Sequence, residues 1–206
     1  LAYSDDDGKT FTRIDDFFPA NSNFVQVSLI RQGGYLYLFG IPNARYGGVK
    51  LARVPEDKIL EKSAYKFYKG NGTSGTWVDN EFDASLIVPG QVGELAVQWN
   101  PFLKSWLMTY LNEGSRALEA RTAPSMEGPW SRQDYLAGSG ELSSVGGWGY
   151  YAPFIHPAYT ENDGETIYFL VSLWSHYNVF VLKTKLAGPY AVNTTQTRIP
   201  MAMPAN

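Results

Sequence analysis

The chain is expected to be all-β and, within that class, a β-propeller. Twenty Gly and twelve Pro punctuate short segments rich in Val, Ile, Leu, Tyr, Phe and Trp, and hardly a window carries apolar residues at helical spacing. Those segments fall into three similar groups, each an apolar strand followed by two more. The stretch Ser4-Asp5-Asp6-Asp7-Gly8-Lys9-Thr10-Phe11 has the form of a tight turn between two strands.

The turn comes first in the chain. It matches the Asp-box pattern S-x-D-x-G-x-T-[FW], in which Asp side chains accept backbone N–H bonds and Gly takes a positive φ. Asp boxes join the outer two strands of propeller blades in sialidases and many unrelated proteins, so this one speaks for fold rather than chemistry. The first strand group runs Phe24–Ile30, Tyr35–Phe39 and Val49–Val54, with a fourth strand at Tyr65–Lys69. Pro55–Ser63 between them reads as a single helical turn inside a loop. The second group runs Glu94–Trp99, Ser105–Leu111 and Ala117–Thr122, with a fourth strand at Pro129–Tyr135. The third runs Tyr151–Ala158, Thr166–Leu173 and Val179–Leu186 and reaches Gly188-Pro189 with no evident fourth strand, which is expected to come from elsewhere. The middle strands, marked by Tyr35, Trp106 and Tyr168, lie 71 and 62 residues apart, a long period that the loops account for.

Propeller sheets are four-stranded, antiparallel and arranged radially, and about four to eight close a ring. If Ser4–Phe11 closes one blade, that blade's inner strands precede Leu1, and three fuller groups cannot close a ring. Residues 1–206 are therefore expected to be one partial propeller domain, the C-terminal three to four blades, forming an open arc or completed by a second chain or fragment. A β-sandwich of about seven to ten strands fits the same periodicity.

Composition narrows the function classes. The chain is 44% apolar and 15% aromatic, enough for a sizeable core. A net charge of −3, with Lys and Arg scattered, leaves no footprint for nucleic acid or an anionic membrane. No apolar run is long enough to span a bilayer, Ile167–Trp174 being strand-sized, so no membrane insertion is expected. The absence of Cys removes disulfides, thiolate metal sites and cysteine nucleophiles. Leu1 opens the chain with neither a basic nor an apolar leader, so a targeting segment, if there is one, lies upstream.

Several segments together resemble one family. They are Phe39-Gly40-Ile41-Pro42-Asn43-Ala44-Arg45-Tyr46-Gly47-Gly48-Val49-Lys50-Leu51-Ala52-Arg53-Val54, Glu94-Leu95-Ala96-Val97-Gln98-Trp99-Asn100-Pro101, Thr122-Ala123-Pro124-Ser125-Met126-Glu127-Gly128-Pro129-Trp130, Tyr151-Ala152-Pro153-Phe154-Ile155-His156-Pro157 and Ser172-Leu173-Trp174-Ser175-His176-Tyr177. Their order and spread resemble domain of unknown function 4185, grouped with glycoside hydrolase family 183, the endo-D-arabinanases. The resemblance implies a five-bladed propeller, secreted or at the bacterial cell surface, acting on arabinofuranose polymers of the mycobacterial cell-wall type. It also implies an acidic residue in an opening blade that has no counterpart here. No cofactor follows from it; a calcium or sodium ion in the axial channel, as in similar five-bladed furanosidases, is a matter on which the sequence is silent.

Glycoside hydrolysis needs a protonated carboxyl group for the leaving oxygen and a second carboxylate as base or nucleophile. Glu94 is the candidate catalytic acid. It opens the innermost strand of its group after Gly93, and the apolar run Leu95–Val97 favours a protonated carboxyl. The ordinary reading of such a residue is a solvated strand-edge Glu. For the second carboxylate, Asp79, Glu81, Asp83, Glu113, Glu141 and Asp163 all sit in loops; Glu113, after Asn112 at the end of a strong strand, stands out, but the opening blade is the expected source.

Candidate substrate-binding residues are Arg45, Trp99, Asn112, Trp148, Tyr151, His156, Trp174 and Tyr177. Aromatic rings take sugar faces and fixed donors take hydroxyls. Trp148 to Tyr151 lie in and just after Gly146-Gly147-Trp148-Gly149, entering an inner strand, and His156 lies further along that strand. Core packing accounts for most propeller aromatics, an exposed loop for Arg45 and a satisfied buried imidazole for His156 equally well. His156 and His176 lack ligand-spaced partners for zinc, so no metal is assigned. A sialidase-type site would need three arginines around a carboxylate, which the spacing does not display, and a non-catalytic carbohydrate-binding propeller would use the same aromatics without paired acids.

Overall fold

A computed structural model of the chain describes residues 1–14, 17–138, 149–175, 177–188 and 195–198. The first blade is an antiparallel meander of β3 (Gln26–Gln32), β4 (Tyr35–Ile41), β5 (Gly47–Pro55) and β6 (Lys66–Gly70), extended by β7 (Gly75–Val78). The second comprises β8 (Val88–Asn100), β9 (Ser105–Asn112), β10 (Ala117–Ala123) and β11 (Asp134–Ala137). The third comprises β12 (Tyr150–Ile155), β13 (Thr166–Leu173), β14 (Asn178–Lys185) and β15 (Thr195–Arg198). Ahead of them stands a short hairpin of β1 (Ala2–Tyr3) and β2 (Thr12–Arg13). These are blades of a β-propeller, and among the described residues no sheet closes on itself.

One expectation is corrected here. The third blade takes its fourth strand from this chain, with Thr195–Arg198 pairing antiparallel to Leu182–Lys185. The sequence Thr-Gln-Thr-Arg is wholly polar, so an outer-edge strand there has no apolar alternation to reveal it. The Pro55–Ser63 turn resolves into short 3-10 turns at Glu56–Lys58 and Lys62–Ala64.

β9 shows how sequence becomes packing. Almost every residue in Ser-Trp-Leu-Met-Thr-Tyr-Leu-Asn is buried, because a middle strand is covered on both faces. Alternate side chains serve different interfaces. Trp106, Met108 and Tyr110 join Phe39, Ile41 and Leu51 between blades one and two, while Leu107 and Leu111 join Ile167, Phe169 and Val171 between blades two and three. Each such side chain contributes roughly 1.5–3 kcal/mol by leaving water, and truncating Leu107 to Ala would cost about 2–5 kcal/mol.

β8 ties two blades together. Its start pairs with the start of β5, Gly47 with Val92 and Val49 with Val88, and its remainder pairs with β9 from Leu95 to Asn100. Gly48 makes this possible, since a Cβ there would stand 2.5 Å from the Val88 carbonyl oxygen. The Ser4–Phe11 turn is held by its own side chains. Asp6 accepts from the Thr10 N–H at 2.9 Å and the Thr10 hydroxyl at 2.7 Å, and Ser4 Oγ accepts from the Gly8 N–H at 2.9 Å. Asp7 and Gly8 take φ of 59° and 80°. The Thr10 backbone N–H foremost, then the Thr10 and Ser4 hydroxyls, hold the Asp6 carboxyl down at about 2.

Candidate active site

In each blade the start of the innermost strand and the loop between the second and third strands lie at the same end, as an antiparallel meander requires. Those positions carry Arg45, in the β4–β5 loop, Glu94 near the start of β8, Glu113 after β9, Tyr151 in β12, and Trp174 and Tyr177 after β13.

Glu94 is aimed by a β-bulge. Val92 pairs with Asn112 and Leu95 with Tyr110, so Gly93 and Glu94 together oppose Leu111. A bulge bends the strand and redirects its side chain, and at Gly93 a Cβ would come within 3.2 Å of both the Leu111 side chain and its carbonyl oxygen.

Arg45 joins the two acids. Its Nε and Nη2 donate to Glu94 Oε1 at 2.9 and 2.5 Å, and its Nη1 donates to Glu113 Oε1 at 2.9 Å. The three side chains are 22%, 19% and 22% exposed, so the cluster faces an opening while remaining partly desolvated. Partial burial works against the arginine's charge, but the hydrogen bonds to Glu94 and Glu113 outweigh it and raise its pKa above the ordinary value. The guanidinium carbon lies 4.4 Å from the centre of the Tyr151 ring, a cation–π contact. From Tyr151 an aromatic series continues to Trp174 at 6.3 Å and from there to Tyr177 at 5.3 Å, the latter 83% exposed.

The cluster therefore draws on three blades. Of the residues singled out from sequence it brings together Glu94, Arg45, Glu113 and Tyr151, with Trp174 and Tyr177 alongside. The expected setting of Glu94 is revised: the carboxyl meets a guanidinium rather than only an apolar flank. Asn112 lies behind the cluster. Its Nδ2 donates to Glu119 Oε2 at 2.9 Å and its Oδ1 accepts from Gly114 N at 2.9 Å, so it shapes the turn that presents Glu113.

Two candidates lie elsewhere. Trp99 sits at the β8–β9 turn, five residues beyond Glu94, or about 16 Å along an extended strand. His156 follows the far end of β12, where its N–H donates to the Tyr168 carbonyl at 2.8 Å, whereas Tyr151 is near the opposite end beside Ser172. Its ring stacks on Tyr159 at 4.0 Å, and its buried Nδ1 has no hydrogen-bond partner among the described residues. The length of each inner strand carries both residues to the other face of the propeller. Trp148 and His176 lie outside the described residues. No group of three or more His, Asp or Glu side chains comes together to hold a metal among the described residues.

Sequence reasoning missed Glu119. It is 5% exposed and accepts from Tyr110 Oη at 2.9 Å, Asn112 Nδ2 at 2.9 Å and Ser115 Oγ at 2.8 Å. The available signal was its place in β10, directly opposite Tyr110 in register, where a lone acid on a covered strand needs partners.

A family model described as a domain of unknown function, DUF4185, matches residues 1–183. Notoamide biosynthesis cluster protein J of Aspergillus sp. (strain MF297-2) is 32% identical over 200 residues, which are 92% of this chain and 50% of that protein. Its counterpart J' of Aspergillus versicolor is 32% identical over 182 residues, 85% of this chain and 48% of that protein. The chain thus spans about half the length of the curated relatives it matches. Among solved structures, a Bacteroides ovatus protein described as a candidate hydrolase superposes with TM-score 0.53 and 16% identity over 73% of this chain and 40% of its own. The Bacteroides ovatus xyloglucan PUL protein GH43B does so with TM-score 0.50 and 15% identity, over 91% and 33%. At these identities the likeness is one of fold, the five-bladed β-propeller type.

Proposed function

The chain belongs to the DUF4185 family, and from that premise we propose that the Arg45–Glu94–Glu113 end of the propeller is the active site of a glycoside hydrolase acting on arabinofuranose-containing polysaccharide. One observation carries the proposal: a single guanidinium holds two glutamates from different strand ends beside an aromatic ring. Solved structures of the same fold include glycoside hydrolases, among them GH43B.

The chemistry follows from the carboxylates. Once entering hydroxyls draw Arg45 off Glu94, that carboxyl takes up a proton and gives it to the glycosidic oxygen as the bond from that oxygen to the anomeric carbon breaks. Glu113 takes a proton from the water whose oxygen forms the new bond to that carbon. Arg45 keeps the two acids oriented before substrate arrives, and entering sugar hydroxyls replace part of its hydrogen bonding. Tyr151, Trp174 and Tyr177 offer ring faces to the sugar C–H groups.

Reducing-end release from arabinan by the full-length protein, compared with its Glu94→Gln variant, tests this. Undiminished release by the variant removes Glu94 from the mechanism. No release from any arabinan by the unaltered protein favours a carbohydrate-binding propeller, a reading supported by the pairing of both acids with one cation. Because the curated relatives carry the name of a notoamide biosynthesis cluster, a glycoside of a small molecule is the second substrate class to assay.

A further inference from the structure

On the end opposite Glu94, Trp99 stands between two cavities. The larger, about 650 Å³, lies between blades one and two and is lined by Tyr37, Trp99, Trp106, Met126, Arg31 and Glu127, among others. The smaller, about 350 Å³, lies between blades two and three and is lined by Gln98, Trp99, Pro101, Pro157, Thr160 and Asp163, with Gly164. Trp99 is 45% exposed, yet an edge contact with Trp106 at 5.6 Å fixes its indole, and Trp106 is itself buried in the core between blades one and two. An exposed, immobilised indole between two recesses is a ridge over which an elongated ligand can lie.

The walls specify the ligand's chemistry. Arg31 is paired with Glu56, so among the described residues no unpaired cation lines either recess, and the other charged groups there are the carboxylates of Glu127 and Asp163. Such walls disfavour anions such as phosphates or uronates. Aromatic faces beside carboxylate, amide and hydroxyl groups suit a ligand with C–H faces and many hydroxyl donors. Two recesses in file on one indole suit a chain of repeating rings rather than a single small molecule.

We propose that the groove running over Trp99 is a second, non-catalytic site that binds a neutral oligosaccharide or polysaccharide chain on the face of the propeller opposite Arg45 and Glu94. The site does not depend on the hydrolytic reading: it holds polymer whether or not the other end turns it over.

The test is mobility in native gels containing soluble arabinan, dextran or polygalacturonate, run with the full-length protein carrying Glu94→Gln so that the polymer stays intact. Retardation by arabinan or dextran is expected, and Trp99→Ala should weaken it about fivefold or more while Trp99→Phe keeps most of it. Glu127→Arg, which fills the mouth of the larger recess from a loop, should weaken it similarly and serves if the Trp99 variant misfolds. Three results would overturn the proposal: retardation unchanged in folded Trp99→Ala and Glu127→Arg, retardation by neither neutral polymer, or retardation confined to polygalacturonate and lost in about 0.5 M salt. Turnover is read separately, by comparing Glu94 with Gln at that position, so failure of the hydrolase assignment leaves this result interpretable.

Discussion

Two polar networks meet on the second blade, and they are built in opposite ways. The Glu119 network is local. Tyr110 and Glu119 face each other directly across the β9–β10 ladder, Asn112 ends β9 and Ser115 lies in the turn that follows, and Arg121 donates to the Tyr110 hydroxyl at 2.9 Å. Burial pushes the Tyr110 phenol far above its ordinary range, keeping it a neutral donor to Glu119. The Arg45 network is long-range: a loop from blade one reaches acids 49 and 68 residues away and packs on a ring from blade three. The buried network has its acceptor saturated and supports the blade. The open one leaves about a fifth of each charged side chain to solvent, where a ligand can compete for its hydrogen bonds. Saturation marks structure, and incomplete burial across blades marks a site.

Glu94→Gln is the sharpest way to test that contrast: turnover should fall about 10²–10⁴-fold with the thermal midpoint nearly unchanged, since loss of a general acid costs roughly that factor. A large drop in melting temperature instead would place Glu94 with the structural acids. Glu119→Ala should do the reverse, lowering the urea-unfolding free energy by about 1–3 kcal/mol because three donors, the Tyr110 hydroxyl among them buried, lose their acceptor. Should that variant unfold normally and lose turnover instead, the division between the two networks is wrong. Arg45→Lys should reduce kcat/KM about tenfold with little change in stability, because a single ammonium cannot reproduce the fork that bonds both acids; a crystal structure or pH–rate profile would show whether Glu94 and Glu113 separate. The smallest effect belongs to the β1–β2 turn. The Asp6 carboxyl is depressed from 3.8 to about 2, so its contribution is complete above about pH 4 and is lost as pH falls toward 2. Asp6→Asn should lower the neutral-pH midpoint slightly, leave the midpoint near pH 2 unchanged, and so flatten that part of the acid-unfolding curve.

The blades were largely legible because each strand's burial is written in its own residues. The apolar run of β9 and the alternation along β13, with Ile167, Phe169, Val171 and Leu173 all buried, need only the nearest neighbours to be interpreted. β15 escaped because Thr195–Arg198 is wholly polar in sequence and so carries no apolar alternation, although its backbone completes the ladder. Within the site, Glu94 could be singled out by its place at a strand start after glycine. Arg45 could be named as a candidate too, but not its pairing with Glu94, because it is brought there by the pairing of β5 with β8 and the close approach at Gly48.

Trp99 and His156 show the same boundary from the other side. Both have the residue types of a sugar site and both lie on or beside innermost strands, yet a strand traverses the propeller from one face to the other. By itself the sequence determined the strands, their meander order and the turn chemistry around Asp6, because period-two burial and local hydrogen bonds act between residues near in the chain. Only the tertiary structure decided which face each strand end occupies and which charges meet there, because the contacts from Arg45 to Glu94, Glu113 and Tyr151 exist only once three blades have packed.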